Sequence, residues 1–168
     1  AFFKDKEVIV IGGGDSAMEE ATFLTRFASK VTIIHRREGL RASQIMSLRA
    51  RENPKISWKL NTSIKSWSGS DNILTGALIT NMQDNTVSNL SFDGAFIAIG
   101  HLPITGFLES QIDMDDHGYI LNKLNTMTSV EGVFACGDVV DTRYRQAITA
   151  AGMGCMAAID CERWLEDN

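Results

Sequence analysis

The chain has 168 residues, 44% of them hydrophobic and 22% charged, the balance of one globular domain or of a small domain with part of another. Its formal net charge of −5, with arginines gathered in one short segment, gives no reason to expect nucleic acid as a partner. No apolar stretch reaches the roughly 18 residues of a membrane span, and no signal-peptide pattern opens the chain, so no membrane association is expected.

In chain order, Val8-Ile9-Val10-Ile11 reads as a strand buried on both faces. Gly12-Gly13-Gly14-Asp15-Ser16-Ala17 ends it as Gly-x-Gly-x-x-Ala, a turn in which the backbone reverses sharply and the next helix starts against the sheet. The head of such a helix offers unpaired N–H groups and a positive dipole end to a pyrophosphate. Ala17, Ala21, Leu24 and Ala28 recur at helical spacing, with Glu19, Glu20 and Arg26 on other faces.

Val31-Thr32-Ile33-Ile34 is expected to be the next parallel strand. Units that read NAD place Asp or Glu near the end of this strand, to accept from the ribose 2′-OH. Here the position holds His35, followed by Arg36, Arg37 and Arg41. A carboxylate repels a 2′-phosphate, whereas guanidinium forks match one. Three scattered arginines would be a solvated face; three just beyond the second strand point to NADPH rather than NADH.

From Arg41 to Arg51 the chain is polar and helix-compatible, with Ile45 and Leu48 as a narrow apolar edge, and Asn53-Pro54 stops it. Ile56 to Leu60 alternates as a short strand. Ile64 to Trp67, Leu74 to Met82 and Thr86 to Phe92 read as half-buried strands. The polar turns between them, Gly69-Ser70-Asp71-Asn72 and Gln83-Asp84-Asn85, make an antiparallel meander capping the parallel sheet. Gly94 to Gly100 is expected to be another strand buried on both faces, ending at a glycine where a ligand could approach closely.

Beyond Gly100 the organisation changes. His101 to Asp116 reads as a loop with a short helix, Gly118 to Leu121 as a short strand, and Val130 to Asp138 as a buried strand ending in Gly137-Asp138. A carboxylate at the end of a parallel strand can accept from the ribityl hydroxyls of a flavin; equally, it can cap a helix or hold a turn. A helix from about Arg145 to Leu165 follows, rich in alanine and glycine, as close packing requires. Cys136, Cys155 and Cys161 have no metal-ligand spacing, and their odd number predicts buried free thiols in a reducing compartment, the cytoplasm.

The ordered set resembles the low-molecular-weight, NADPH-dependent thioredoxin reductases. The resemblance is carried by Val10 to Ala17, His35-Arg36-Arg37 with Arg41-Ala42-Ser43, Ala98-Ile99-Gly100-His101, Gly132 to Val139 and Tyr144 to Gly152. It implies a Rossmann-like three-layer NADPH-binding domain over 1–97 and the C-terminal portion of a second, FAD-binding Rossmann-like domain over 98–168. By the same resemblance, Gly13, Gly14, Asp15, Ser16 and Ala17 would hold the pyrophosphate turn and Arg36, Arg37 and Arg41 the 2′-phosphate, with Gly12 and His35 beside them as cofactor-binding residues. Ile99 and Gly100 would approach the nicotinamide side. Asp138 would hold the ribityl chain of FAD, with Gly137 beside it as a cofactor-binding residue, and Arg145, Gln146 and Ala147 would line the flavin ring.

The family's redox-active Cys-x-x-Cys and its first Gly-x-Gly-x-x-Gly are absent from these residues, and Cys136 stands where alanine is usual. The expectation is therefore the latter half of a homodimeric reductase that passes hydride from NADPH to FAD, to a cysteine pair and to thioredoxin, and that is inactive as this fragment. A related flavoenzyme with another acceptor, or a non-catalytic NADPH-binding module, are the alternatives.

Overall fold

The computed structural model describes residues 2–167. The chain divides into two compact units, Ala1–Gly100 and His101–Asn168.

In the first unit, β1 (Glu7–Ile11), β2 (Lys30–Ile34), β3 (Ile56–Lys59) and β7 (Gly94–Ile97) form a parallel sheet in the order β3-β2-β1-β7. The apolar run of β1 is enclosed because β2 and β7 flank it, pairing Val8 with Val31 and with Gly94. On one face Val8, Val10, Val31 and Ile33 pack against Ala17, Met18, Ala21 and Leu24 of α1 (Asp15–Leu24) and Ala50 of α2 (Gln44–Glu52). On the other, Ile9 and Ile34 meet Ala77, Ile79 and Phe92. These belong to, or directly follow, the antiparallel meander β4 (Thr62–Ser70), β5 (Ile73–Asn81) and β6 (Val87–Ser91). Helices, parallel sheet and meander are thus three layers around a two-sided core.

Several expectations change. α1 ends at Leu24, so buried Ala28 lies beyond it, its amide bonded back to the Leu24 carbonyl. Ile45 and Leu48 are exposed, and α2 instead turns Met46 and Ala50, one helical turn apart, onto the core. The first meander turn is tighter than expected: Gly69 and Ser70 stay in β4, and only Asp71 and Asn72 turn, both at positive φ. β7 is not buried on both faces. It pairs only with β1 at the edge of the sheet, ends at Ile97, and leaves Ile97 and Ile99 61% and 63% exposed.

The second unit has less regular structure. The strands expected at Gly118–Leu121 and Val130–Asp138 reduce to single bridges, Met114 with Ile120 and Met127 with Phe134. Gly137-Asp138 therefore does not end a parallel strand; it opens a one-turn helix, Gly137–Val139, with Gly137 at φ +75°. Without a partnered strand on either side, the apolar run from Val130 remains half-exposed, Val130 and Val133 each at 38%. The long helix α3 runs over Ala147–Asp167 and none of its residues is buried. It is held at Asp160, whose carboxylate accepts from the Thr126 amide and hydroxyl, and at Trp164, which meets the Phe134 ring edge-on.

Candidate dinucleotide cleft

The Gly-x-Gly-x-x-Ala turn closes for steric reasons. A Cβ on Gly12 would run into the Ala98 carbonyl oxygen and stand 2.8 Å from the Ala17 methyl, which is itself fully buried. A Cβ on Gly13 would enter the imidazole ring of His35, 2.7 Å from Nε2. Gly14, in contrast, has open space where its side chain would be. Ala17 and Met18 donate to the Gly14 carbonyl, which leaves the preceding amides of the first turn of α1 without intrahelical acceptors.

The same turn is tied to the basic segment. The Gly13 carbonyl accepts from the amides of Arg41 and Ala42 at 2.7 and 2.9 Å, and the Asp15 carboxylate accepts from the Ser43 amide at 2.6 Å. The glycines and the arginines, far apart in sequence, are thus parts of one construction. Asp15 serves here as the brace between α1 and the start of α2, while Ser16 is exposed on α1.

A cleft of about 440 Å³ opens beside this brace. Gly12, Gly13, His35, Arg36, Arg41 and Ile99, all singled out in the sequence, line it with Ile11, Ile34 and Ile97. Gly14, Asp15, Ser16, Ala17, Arg37 and Gly100 are not among its lining residues. Gly100 sits just past β7 at φ +93°, with nothing around the position of a side chain. Arg36, Arg37 and Arg41 are exposed, and no described residue gives any of their side chains a hydrogen bond or ion pair. Three guanidinium groups therefore stand free at the end of β2.

His35 lies among them, buried at 7% exposure, with Nε2 lacking a hydrogen-bond partner. Burial is the main reason its pKa falls below the ordinary 6.5; an interaction with the Gly39 backbone opposes the shift, and the charges of Arg41, Arg36 and Arg37 add to it. The ring is accordingly a neutral group within a positive rim.

One wall of the cleft was not legible in the sequence. Thr62, Ser63, Ile64 and Trp67 of β4 close it, brought there by the Thr62 amide donating to the His35 carbonyl at 2.9 Å. The available signal was Trp67 itself, an indole in an otherwise polar, exposed stretch.

In the second unit, Asp138 and Gln146 are exposed and Ala147 is the first residue of α3. Arg145, at φ +49°, lays its guanidinium over the Tyr119 ring and donates to the carbonyls of Asp141 and Thr142. This conformation is set by Asp141, whose carboxylate accepts from the amides of Arg143, Tyr144 and Arg145. Those bonds, Tyr144 first, hold its pKa below the ordinary 3.8. Among the described residues, no cluster could hold a metal ion and no helix is long and apolar enough to cross a membrane.

Comparison with known proteins gives a consistent picture. The family described as pyridine nucleotide-disulphide oxidoreductase matches residues 2–154. A thioredoxin reductase of Mycolicibacterium smegmatis is 52% identical over 168 residues, 99% of this chain and 54% of that protein. Thioredoxin reductase 2 of Arabidopsis thaliana is 53% identical, over 98% of this chain and 44% of that protein. Among solved structures, the thioredoxin reductase of Streptococcus pyogenes superposes with a TM-score of 0.86 at 40% identity, covering 100% of this chain and 55% of that one. The chain spans about half the length of the relatives it matches.

Proposed function

The chain belongs to the pyridine nucleotide-disulphide oxidoreductase family, and from that premise we propose that it serves an NADPH-dependent thioredoxin reductase. Its first unit is the NADPH-binding domain and its second a part of the FAD-binding domain. The observation that carries this reading is the set of three unpartnered guanidinium groups beyond β2, in a segment whose Arg41 and Ala42 amides are fastened to the Gly13 carbonyl of the glycine turn, with Arg36 and Arg41 lining the same cleft. An anion at one end and a pyrophosphate at the turn describe a 2′-phosphorylated dinucleotide.

The residues fit such a ligand in detail. The Gly14 position leaves room for a phosphate at the head of α1, where the amides of Asp15 and Ser16 donate. Arg36, Arg37 and Arg41 take the 2′-phosphate as charge-assisted forks. The orphaned His35 Nε2 is suited to a polar group brought into the cleft, and Ile99, which lines it, takes the nicotinamide side with Gly100 next in the chain. In the second unit, the exposed Asp138 after the positive-φ turn of Gly137 accepts from ribityl hydroxyls. Arg145, whose amide Asp141 holds, lines the flavin with Gln146 and Ala147.

When bound, the nicotinamide supplies hydride and the flavin relays its electron pair toward a disulfide. This chain's residues bind and orient. The cysteine pair that the reading requires is not among its 168 residues, since Cys136, Cys155 and Cys161 form no Cys-x-x-Cys. Thioredoxin as acceptor, a homodimer and a cytoplasmic role in redox homeostasis complete the proposal.

The test is a titration of NADPH and NADH into wild type and Arg36→Ala. A lost charge-assisted phosphate contact costs about 1.5–3 kcal/mol, roughly ten- to a hundredfold in affinity. Wild type should prefer NADPH strongly, and Arg36→Ala should lose most of that preference while binding NADH unchanged. Equal wild-type affinities would refute the assignment.

A further inference from the structure

The polar rims of the cleft account for the phosphates and Ile99 for part of the nicotinamide side, which leaves the rest of its apolar wall without a task. That wall is Ile64, Trp67, Ile97 and Ile99. Trp67 is 47% exposed, yet it is not free to move. It stands across from Ala77 in the β4–β5 register, and its ring meets buried Phe92 at right angles with centroids 6.3 Å apart. An indole anchored at one edge and presented to a cleft is preorganised to receive a flat ring.

The topology says which ring. β2, whose end carries Arg36 and Arg41, lies on one side of β1; β7, leading to Ile97 and Ile99, lies on the other. Two strand spacings of about 4.8 Å separate them. β4 starts beside β2, where Thr62 bonds to His35, and Trp67 comes five residues later, roughly 16 Å along an extended chain. Its ring partner Phe92 leads directly into β7 through Asp93. Trp67 lines the cleft together with Ile97 and Ile99, which β7 and its exit supply, while Arg36 and Arg41 enter it from beyond β2.

We propose that Trp67 is a specificity-determining residue of the cleft, packing its indole against the nicotinamide half of the dinucleotide and leaving the adenosine half to the arginines. The proposal rests on the NADPH reading of the cleft. A stacked aromatic wall suits the oxidised pyridinium especially, because the indole face attracts a cation.

The experiment titrates NADP+ and 2′,5′-ADP, which lacks the nicotinamide riboside, into the 168-residue wild type, Trp67→Ala and Trp67→Phe. Loss of one stacking wall should weaken NADP+ roughly five- to tenfold in Trp67→Ala, leave 2′,5′-ADP within about twofold, and be largely restored in Trp67→Phe. Equal losses for both ligands, or no loss for NADP+, would overturn the proposal. Should Trp67→Ala not fold, NMR on wild type decides: transfer from the indole protons that vanish in Trp67→Phe must reach the nicotinamide protons, and transfer to adenine alone contradicts it. A wild type indifferent to 2′,5′-ADP would remove the NADPH reading itself and the inference with it. A wild type that binds 2′,5′-ADP while ignoring the Trp67 substitutions removes only the inference.

Discussion

Gly13 and His35 illustrate how one residue can answer to both folding and function. The imidazole occupies the volume a Gly13 side chain would need, and the Gly13 carbonyl holds Arg41 and Ala42. Gly13→Ala should thus destabilise the chain by about 1–3 kcal/mol through forced movement of His35, whereas Gly14→Ala, facing open space at φ −98°, should leave the melting temperature nearly unchanged. Thermal unfolding of the two variants makes the comparison. His35 adds a pH dependence of known sign. Its folded pKa lies below the ordinary 6.5, so the unfolded chain binds the proton more readily. Its stabilising contribution is complete above about 6.5 and is lost as pH falls from there toward the lowered folded value. Melting curves of wild type and His35→Gln between roughly pH 7.5 and 5.5 should converge on acidification; parallel curves would assign the loss to other groups.

At the scale of elements, the β4–β5 hairpin depends on two residues at positive φ, Asp71 at 51° and Asn72 at 61°. A two-residue turn of this kind matches the twist of the strands and tolerates Asn, Asp and Gly but not β-branched side chains. Asn72→Val should cost about 1–2 kcal/mol and Asn72→Gly should be neutral or mildly stabilising, as read by denaturant unfolding. Such local signals explain what the sequence made legible. β1, the glycine turn, α1 and β2 were readable because apolar runs, glycines and helical spacing coincide within 30 residues. The burial of α2 was not, since both Ile45/Leu48 and Met46/Ala50 fit helical spacing, and only the sheet beneath decides between them. The two-sided burial expected of the Gly94 strand and the strand expected at Val130 fail for one reason: an apolar run records a residue's affinity for burial, not the presence of a neighbour to bury it. The wall formed by Thr62 to Trp67 depends on a pairing with His35 that no local pattern announces.

At the scale of the whole molecule, the two units differ in how much they enclose. The first has a core with Val8, Val10, Val31 and Ile33 at or below 1% exposure, while the 21-residue α3 of the second buries none of its residues. Helices owe most of their stability to packing of a buried face. Amide exchange should therefore be slowest in β1 and β2 and faster throughout α3; comparable protection would mean that α3 is covered, for instance by a second copy of the chain. Disulfide turnover by the 168 residues alone, with NADPH and a thioredoxin, should be undetectable, because they contain no Cys-x-x-Cys. The central claim is that the glycine turn and the arginine segment form one site that reads a 2′-phosphate. Mapping backbone amide shifts on adding NADPH and then NADH tests it most directly. NADPH should move Gly12 to Ser16 together with His35 to Arg41, and NADH should move the second group far less. Equal perturbation of His35 to Arg41 by both ligands, or shifts confined to other parts of the chain, would contradict the account.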